Sequence, residues 1–161
     1  MKLIWVKGKT PLSKLIMWGL DEPVSHFAIE FDNKIVFHSD LRGTNIQWSK
    51  TFYKNRDLVF ELEYKPGLNK EEEIYQTILD TYDGSSYDYG GFLYFCWRAA
   101  LKKFFKKPLP DSNPWGSKKS FICDEVVQLL PDDVCPPEVK DMDLSIKSPY
   151  QVWMLLNNKT V

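Results

Sequence analysis

Residues 25–38, which read SHFAIEFDNKIVFH, decide the fold of this chain. Large apolar residues alternate with other residues on both sides of a polar centre, a pattern typical of two β-strands joined by a turn. Because successive side chains of a strand point to opposite faces, the register decides which residues share a face. Pairing Phe31 with Ile35 leaves residues 32–34 as the loop. This register collects the large apolar side chains on one face: Phe27, Ile29, Phe31, Ile35 and Phe37.

Both histidines of the chain lie in this hairpin, one in each strand. The register places His26 opposite Asp40 and diagonal to His38, and diagonal neighbours lie about 7–8 Å apart. The three side chains are therefore expected to gather on one polar face. Glu30 lies on the same face and supplies a second carboxylate.

A second informative segment, residues 121–130, reads FICDEVVQLL. It predicts a helix that has Cys123 in its first turn and that ends before Pro131. A cysteine at a helix N-terminus, combined with a histidine on a strand, supplies the components of a thiol nucleophile and its base. A helix N-terminus and a nearby imidazolium both favour the thiolate form of cysteine.

These residues predict a catalytic site with a defined role for each member. Cys123 is expected to be the nucleophile and His26 the general base that later protonates the leaving group. His38 is expected to hold the His26 ring in orientation, and Asp40 and Glu30 are the alternatives for that role.

The composition is that of an ordinary globular chain and excludes several classes of function. The 161 residues are 43% hydrophobic and 27% charged, carry a net charge of −1, and predict one domain over residues 1–161. The near-zero net charge argues against nucleic-acid binding. Neither a signal peptide nor an apolar run of about 20 residues is visible, so a cytoplasmic location without a transmembrane segment is expected.

The three cysteines are expected to be free thiols. Because the chain has only two histidines and no Cys-x-x-Cys motif, neither a metal nor another cofactor is predicted. The oligomeric state is left open.

The remaining patterns predict separate strands and helices in an α+β arrangement, with a small antiparallel sheet packed against helices. Asn69 is expected to cap a helix, while Gly90 and Gly91 are expected to lie in the loop before the next one. Besides the hairpin, strands are predicted at residues 3–6, 45–48 and 57–64, and helices at about 11–19, 69–82, 92–107, 121–130 and 149–156.

The order of these segments resembles the circularly permuted branch of the NlpC-type papain-like cysteine peptidase superfamily. Ser25-His26-Phe-Ala-Ile resembles the histidine strand of that branch, and His38 follows twelve positions later, as in its lecithin retinol acyltransferase-like members. Residues 121–126, FICDEV, resemble the cysteine motif of its YiiX-like members, with Asp124 where serine is more usual. The segments GSSYDY at 84–89 and SPY at 148–150 resemble two further motifs of the YiiX-like proteins.

This resemblance implies a papain-like, NlpC-like fold in permuted order, with the histidine hairpin before the cysteine helix. It implies a thiol hydrolase that cleaves an amide or peptide bond, in cell-wall peptides or another small amide, through a thioester intermediate. Two alternatives stay open: a thiol-dependent acyltransferase or lipid hydrolase, and a catalytically inactive binding module. The Asn-Cys-Glu-His motif of the acyltransferase-like enzymes is absent, which favours the YiiX-like side. Oxyanion or substrate contacts are expected from the Cys123 N–H and from Tyr87, Tyr89 or Tyr150.

Overall fold

The computed structural model describes residues 1–40, 42–82, 86–105, 114, 120–121 and 123–157. Within these residues the fold is of mixed α+β type, as predicted, and is built on a five-stranded antiparallel sheet. The strands follow the spatial order β4-β3-β2-β1-β5. Their bounds are β1 Lys2–Gly8, β2 His26–Glu30, β3 Ile35–Asp40, β4 Gly43–Trp48 and β5 Arg56–Glu63.

Helices connect and cover these strands. Thr10 caps the first helix by accepting a hydrogen bond from the Ser13 N–H, and Pro11 occupies its first turn, as the sequence predicts. The α-helices are α1 Pro11–Leu20, α2 Ser49–Phe52, α3 Leu68–Tyr82, α4 Tyr89–Ala100, α5 Pro137–Lys140 and α6 Pro149–Asn157. Shorter helical turns span Tyr53–Asn55, Leu101–Phe105, Cys123–Leu129 and Leu144–Ile146.

The predicted hairpin register is confirmed and separates two apolar layers. The N–H of Phe31 donates to the Ile35 carbonyl at 2.9 Å, and Ile29 lies opposite Phe37. The aromatic face of the hairpin packs in the main core with β1, with the helix that begins at Cys123 and with α6. A smaller cluster on the opposite face contains Ile4, Val6, Ala28, Val36 and Phe52. The histidines belong to this second face, because His26 and His38 alternate with Phe27 and Phe37.

Three local predictions were wrong. Helix α3 begins at Leu68, so Asn69 lies inside it instead of capping it. Gly90 and Gly91 lie in the first turn of α4, where the Phe92 N–H donates to the Asp88 carbonyl at 2.9 Å. A glycine inside a helix costs about 1 kcal/mol relative to alanine, which a helix that packs well can offset. The segment predicted to continue α4 turns π-helical from Leu101 to Phe105, and residues 106–107 lie outside the described residues.

A short parallel pair links two segments that the sequence analysis considered separately. Strand β6, Ser86–Tyr87, pairs with β7, Ser120–Phe121. The pairing brings the backbone at Tyr87 beside the residues that lead into Cys123. Residues 83–85, at the start of the segment that resembles the family motif, lie outside the described residues.

Candidate active site

The two imidazoles are in direct contact, as the hairpin register predicts. Nε2 of His26 lies 3.2 Å from Nδ1 of His38, and the rings meet edge to face with their centroids 5.2 Å apart. The Phe52 ring also packs against the His38 ring, edge to face, with 5.1 Å between their centroids. His38 is almost fully buried, whereas His26 is partly exposed in the wall of a cavity. His38 engages Nε2 of His26, and among the described residues Nδ1 of His26 has no hydrogen-bond partner.

Gln47 extends this pair into a chain across three adjacent strands. The nitrogen of its side-chain amide lies 2.6 Å from Nε2 of His38, so in this orientation Gln47 donates to His38. In the pairing of β3 with β4, Gln47 lies opposite Val36 and therefore diagonal to His38. The twist of the sheet brings one of the two diagonals closer, which allows side chains two positions out of register to meet. Sequence reasoning missed Gln47. The predicted strand at 45–48 does place Gln47 on the same face as Asn45, two residues further along, and Asn45 lies opposite His38.

Both imidazoles are held in the neutral form. Burial, assisted by the charges of His38 and Arg56, holds the pKa of His26 well below its usual value. Burial and the nearby charge of Arg56 lower the pKa of His38 to about 4. Asp40 acts in the opposite direction on both rings, but its effect is smaller. At neutral pH both rings are therefore uncharged.

The two carboxylates proposed as alternatives to His38 have other partners. Glu30 accepts hydrogen bonds from the Ser49 hydroxyl at 2.6 Å and from the Tyr53 hydroxyl at 2.9 Å. Asp40 accepts from the Arg42 side chain and backbone and from the Asn45 amide. Within the described residues, neither carboxylate is hydrogen-bonded to an imidazole. Of the three groups predicted for the orienting role, His38 is the one whose ring contacts His26 in the described part of the chain.

Cys123 and His26 line the same cavity, whose volume is about 640 Å³. Cys123 lies in the first turn of its helical segment, as predicted, but that segment is a 3-10 helix and begins at Cys123, two residues later than expected. Its side chain is 6% exposed and also contacts the main core. The helix that carries it packs on β2 and β3. Cys123 belongs to the main core on the aromatic face of the hairpin, whereas the side chains of His26 and His38 lie on the opposite face. None of the three cysteines forms a disulfide.

The tyrosines proposed as oxyanion or substrate contacts do not gather at this cavity in the described part of the chain. Tyr150 stacks on Trp153 and lies 6.0 Å from the Phe60 ring centre, and it borders a separate surface depression. Tyr89 is 55% exposed at the start of α4 and is not part of the cavity wall. The side chain of Tyr87 lies outside the described residues, as does that of Asp124.

Comparison with models of protein families, with curated proteins and with solved structures found no match to this chain. Over the described ranges, no helix has both the length and the hydropathy needed to cross a bilayer. Among the same residues, no group of three or more histidine, cysteine, aspartate or glutamate side chains is arranged to hold a metal ion.

Proposed function

We propose that this chain is a papain-like thiol hydrolase that cleaves an amide or peptide bond through Cys123, His26 and His38. The observation that carries the proposal is the hydrogen bond between His26 and His38 at 3.2 Å, in a cavity whose wall also contains Cys123. A thiol nucleophile requires a base whose ring is held in orientation by a third group, and these residues supply each part.

The reaction follows from the groups in the cavity. His26 accepts the thiol proton through Nδ1, and the sulfur of Cys123 attacks the carbonyl carbon of the substrate. A C–S bond forms as the C–N bond breaks, and the amine leaves with the proton that His26 returns. Water then cleaves the thioester, which releases the acid and regenerates the thiol. His38 keeps the His26 ring aligned through both steps.

The low pKa of His26 has two opposing consequences for this scheme. A neutral imidazole can accept a proton, but one with a depressed pKa is a weaker base. Arg56, which lines the same cavity, is one cause of that lowered pKa.

Alkylation by iodoacetamide, followed at the Cys123 peptide by mass spectrometry, tests the proposal. An ordinary thiol with a pKa near 8.5 is only about 3% ionised at pH 7. We expect Cys123 to react at pH 7 roughly tenfold faster than such a thiol, and His26→Ala to remove most of that advantage. Ser39→Ala is the matched control, because Ser39 lines the same cavity and its buried hydroxyl has no hydrogen-bond partner among the described residues. Equal rates in the wild type and in His26→Ala would contradict the assignment.

A binding module without catalysis is the second candidate, and one observation favours it. The Cys123 side chain is 6% exposed and packs with the core residues Val126 and Val127. A buried cysteine of this kind usually behaves as a small hydrophobic residue. In that case Cys123 would react with iodoacetamide no faster than Cys135, which is fully buried and lies outside the cavity wall.

A further inference from the structure

The wall of the cavity that holds His26 and Cys123 carries an excess of positive charge. Among the described residues, four cationic side chains line it, against one carboxylate, that of Asp40. The local balance is therefore +3, on a chain whose net charge is −1. The cationic residues are Arg42, Lys54, Arg56 and Lys147.

The single carboxylate is already engaged by the two arginines. Oδ2 of Asp40 lies 2.9 Å from Nη2 of Arg42 and 3.9 Å from Nη2 of Arg56. Burial acts to raise the pKa of Asp40, but the hydrogen bonds from Arg42 outweigh it and hold the pKa below its usual value. Arg56 is further fixed by donating to the Phe52 carbonyl at 3.2 Å and by lying 4.5 Å from the centre of the Phe52 ring. The negative charge of Asp40 is therefore already paired with the two arginines and does not offset the charges of the two lysines.

The two lysines are the cations that a ligand could engage. Within the described part of the chain, neither Lys54 nor Lys147 has a carboxylate within 4.0 Å. Lys54 comes from the turn after α2 and is exposed, whereas Lys147 precedes α6 and is half-buried. They therefore line the cavity from two different segments of the fold.

Positive charge inside a cleft acts more strongly than on an open surface. Walls of low dielectric focus the field, which raises the local concentration of anions. The histidines add no charge of their own at neutral pH, since both are held in the neutral form. An anionic group in the cavity would thus meet four cations and one carboxylate that is already paired.

We infer that the cavity selects substrates that carry a carboxylate close to the amide bond that is cleaved, with Lys54 and Lys147 as its binding groups. This inference rests on the proposed thiol hydrolase function and names its substrate class. Amides of acidic amino acids and peptide fragments with a free carboxylate beside the scissile bond belong to this class.

Two alkylating reagents that differ in one charge test the inference on the intact chain. Iodoacetate and iodoacetamide both form an S–C bond with Cys123 and release iodide, but only iodoacetate carries a carboxylate. The quantity measured at the Cys123 peptide is the iodoacetate rate divided by the iodoacetamide rate. This ratio is then divided by the same ratio for 2-mercaptoethanol, which is a neutral thiol. At low ionic strength we expect this normalised ratio to be roughly ten, and to fall towards one in high salt.

The variants assign the effect to the two lysines. The double variant Lys54→Gln/Lys147→Gln should bring the normalised ratio close to one. Because the ratio compares two reagents at the same thiol, a change in the thiolate fraction of Cys123 cancels from it. Lys34→Gln/Lys65→Gln removes the same total charge outside the cavity wall and should leave the ratio unchanged.

Failure of the inference and failure of the proposed function give different results. Rapid reaction with iodoacetamide, together with a normalised ratio near one in the wild type, would overturn the carboxylate preference and keep the nucleophile. If iodoacetamide reacts with Cys123 no faster than with Cys135, the proposed function is overturned, and the substrate class falls with it.

Discussion

The chain of His26, His38 and Gln47 can hold its protons in two arrangements, and the amide of Gln47 selects between them. To accept a proton at Nδ1, His26 must carry its own proton on Nε2 and donate it to Nδ1 of His38. His38 must then carry its proton on Nε2 and donate it to Gln47. Only the carbonyl oxygen of the Gln47 amide can accept it. In the structure the amide nitrogen lies next to Nε2 of His38, an arrangement that reverses both tautomers and leaves Nδ1 of His26 protonated. The proposed reaction therefore needs the Gln47 amide rotated by 180°, so that its oxygen accepts from His38.

Substitution of Gln47 separates these two arrangements. Gln47→Glu keeps an acceptor beside Nε2 of His38, so we expect it to retain most of the rapid alkylation of Cys123 at pH 7. Its added negative charge should also raise the pKa of His38, which is otherwise lowered to about 4. Gln47→Met has a similar length and no acceptor, and it should slow the alkylation by about tenfold, the effect of losing one hydrogen bond worth about 1.4 kcal/mol. If the two variants react alike, Gln47 does not set the tautomer.

At the scale of elements, the close approach of α1 to the end of β1 shapes one side of the cavity. Gly8, the last residue of β1, and Ser13 of α1 both line it. The N–H of Gly8 also donates to the Ser25 hydroxyl at 3.0 Å, next to His26. A Cβ at Gly8 would lie 2.2 Å from Oγ and 2.7 Å from Cβ of Ser13, closer than atoms of this kind approach. The absence of a side chain at Gly8 therefore allows α1 to pack where it does.

Gly8→Ala should accordingly destabilise the fold by about 1–3 kcal/mol, the usual cost of overpacking. Ser13→Gly removes both clashing atoms, so the double variant should recover much of that loss, apart from about 1 kcal/mol for glycine in a helix. Urea unfolding of the four forms, evaluated as a double-mutant cycle, measures the coupling. Additive effects of the two substitutions would contradict the steric explanation.

The patterns that span an element were predictable from sequence, while contacts between elements were not. Alternation from Phe27 to Phe37 fixes the hairpin register because a slip of one residue would move every apolar side chain to the opposite face. Nothing local to Glu30 reveals that Ser49 and Tyr53 engage it, because those partners arrive from a separate helix and turn. The glycine pair in α4 misled the prediction because the local preference of Gly90 and Gly91 for turns is overridden by the helix that contains them.

At the scale of the whole molecule, the two neutral imidazoles make folding depend on pH. Histidine in an unfolded chain has a pKa near 6.5, whereas both folded histidines have lower values, about 4 for His38. Above pH 6.5 both states carry neutral rings, and the stability of the fold is fully present. As the pH falls from 6.5 towards 4, the unfolded chain binds protons that the folded chain does not, so stability is lost.

The free energy of unfolding should therefore decrease steadily between pH 6.5 and pH 5, a window above the ordinary titration of carboxylates. The slope should approach about 1.4 kcal/mol per pH unit for each histidine, and no other histidine exists to contribute. Urea unfolding curves at four or five pH values measure it. The double variant His26→Gln/His38→Gln removes both titrating groups, so its unfolding free energy should be nearly flat across the window even if its absolute stability is lower. A flat profile in the wild type would mean that the two rings are protonated in the folded protein as readily as in the unfolded chain. That result would exclude the neutral base proposed for the active site.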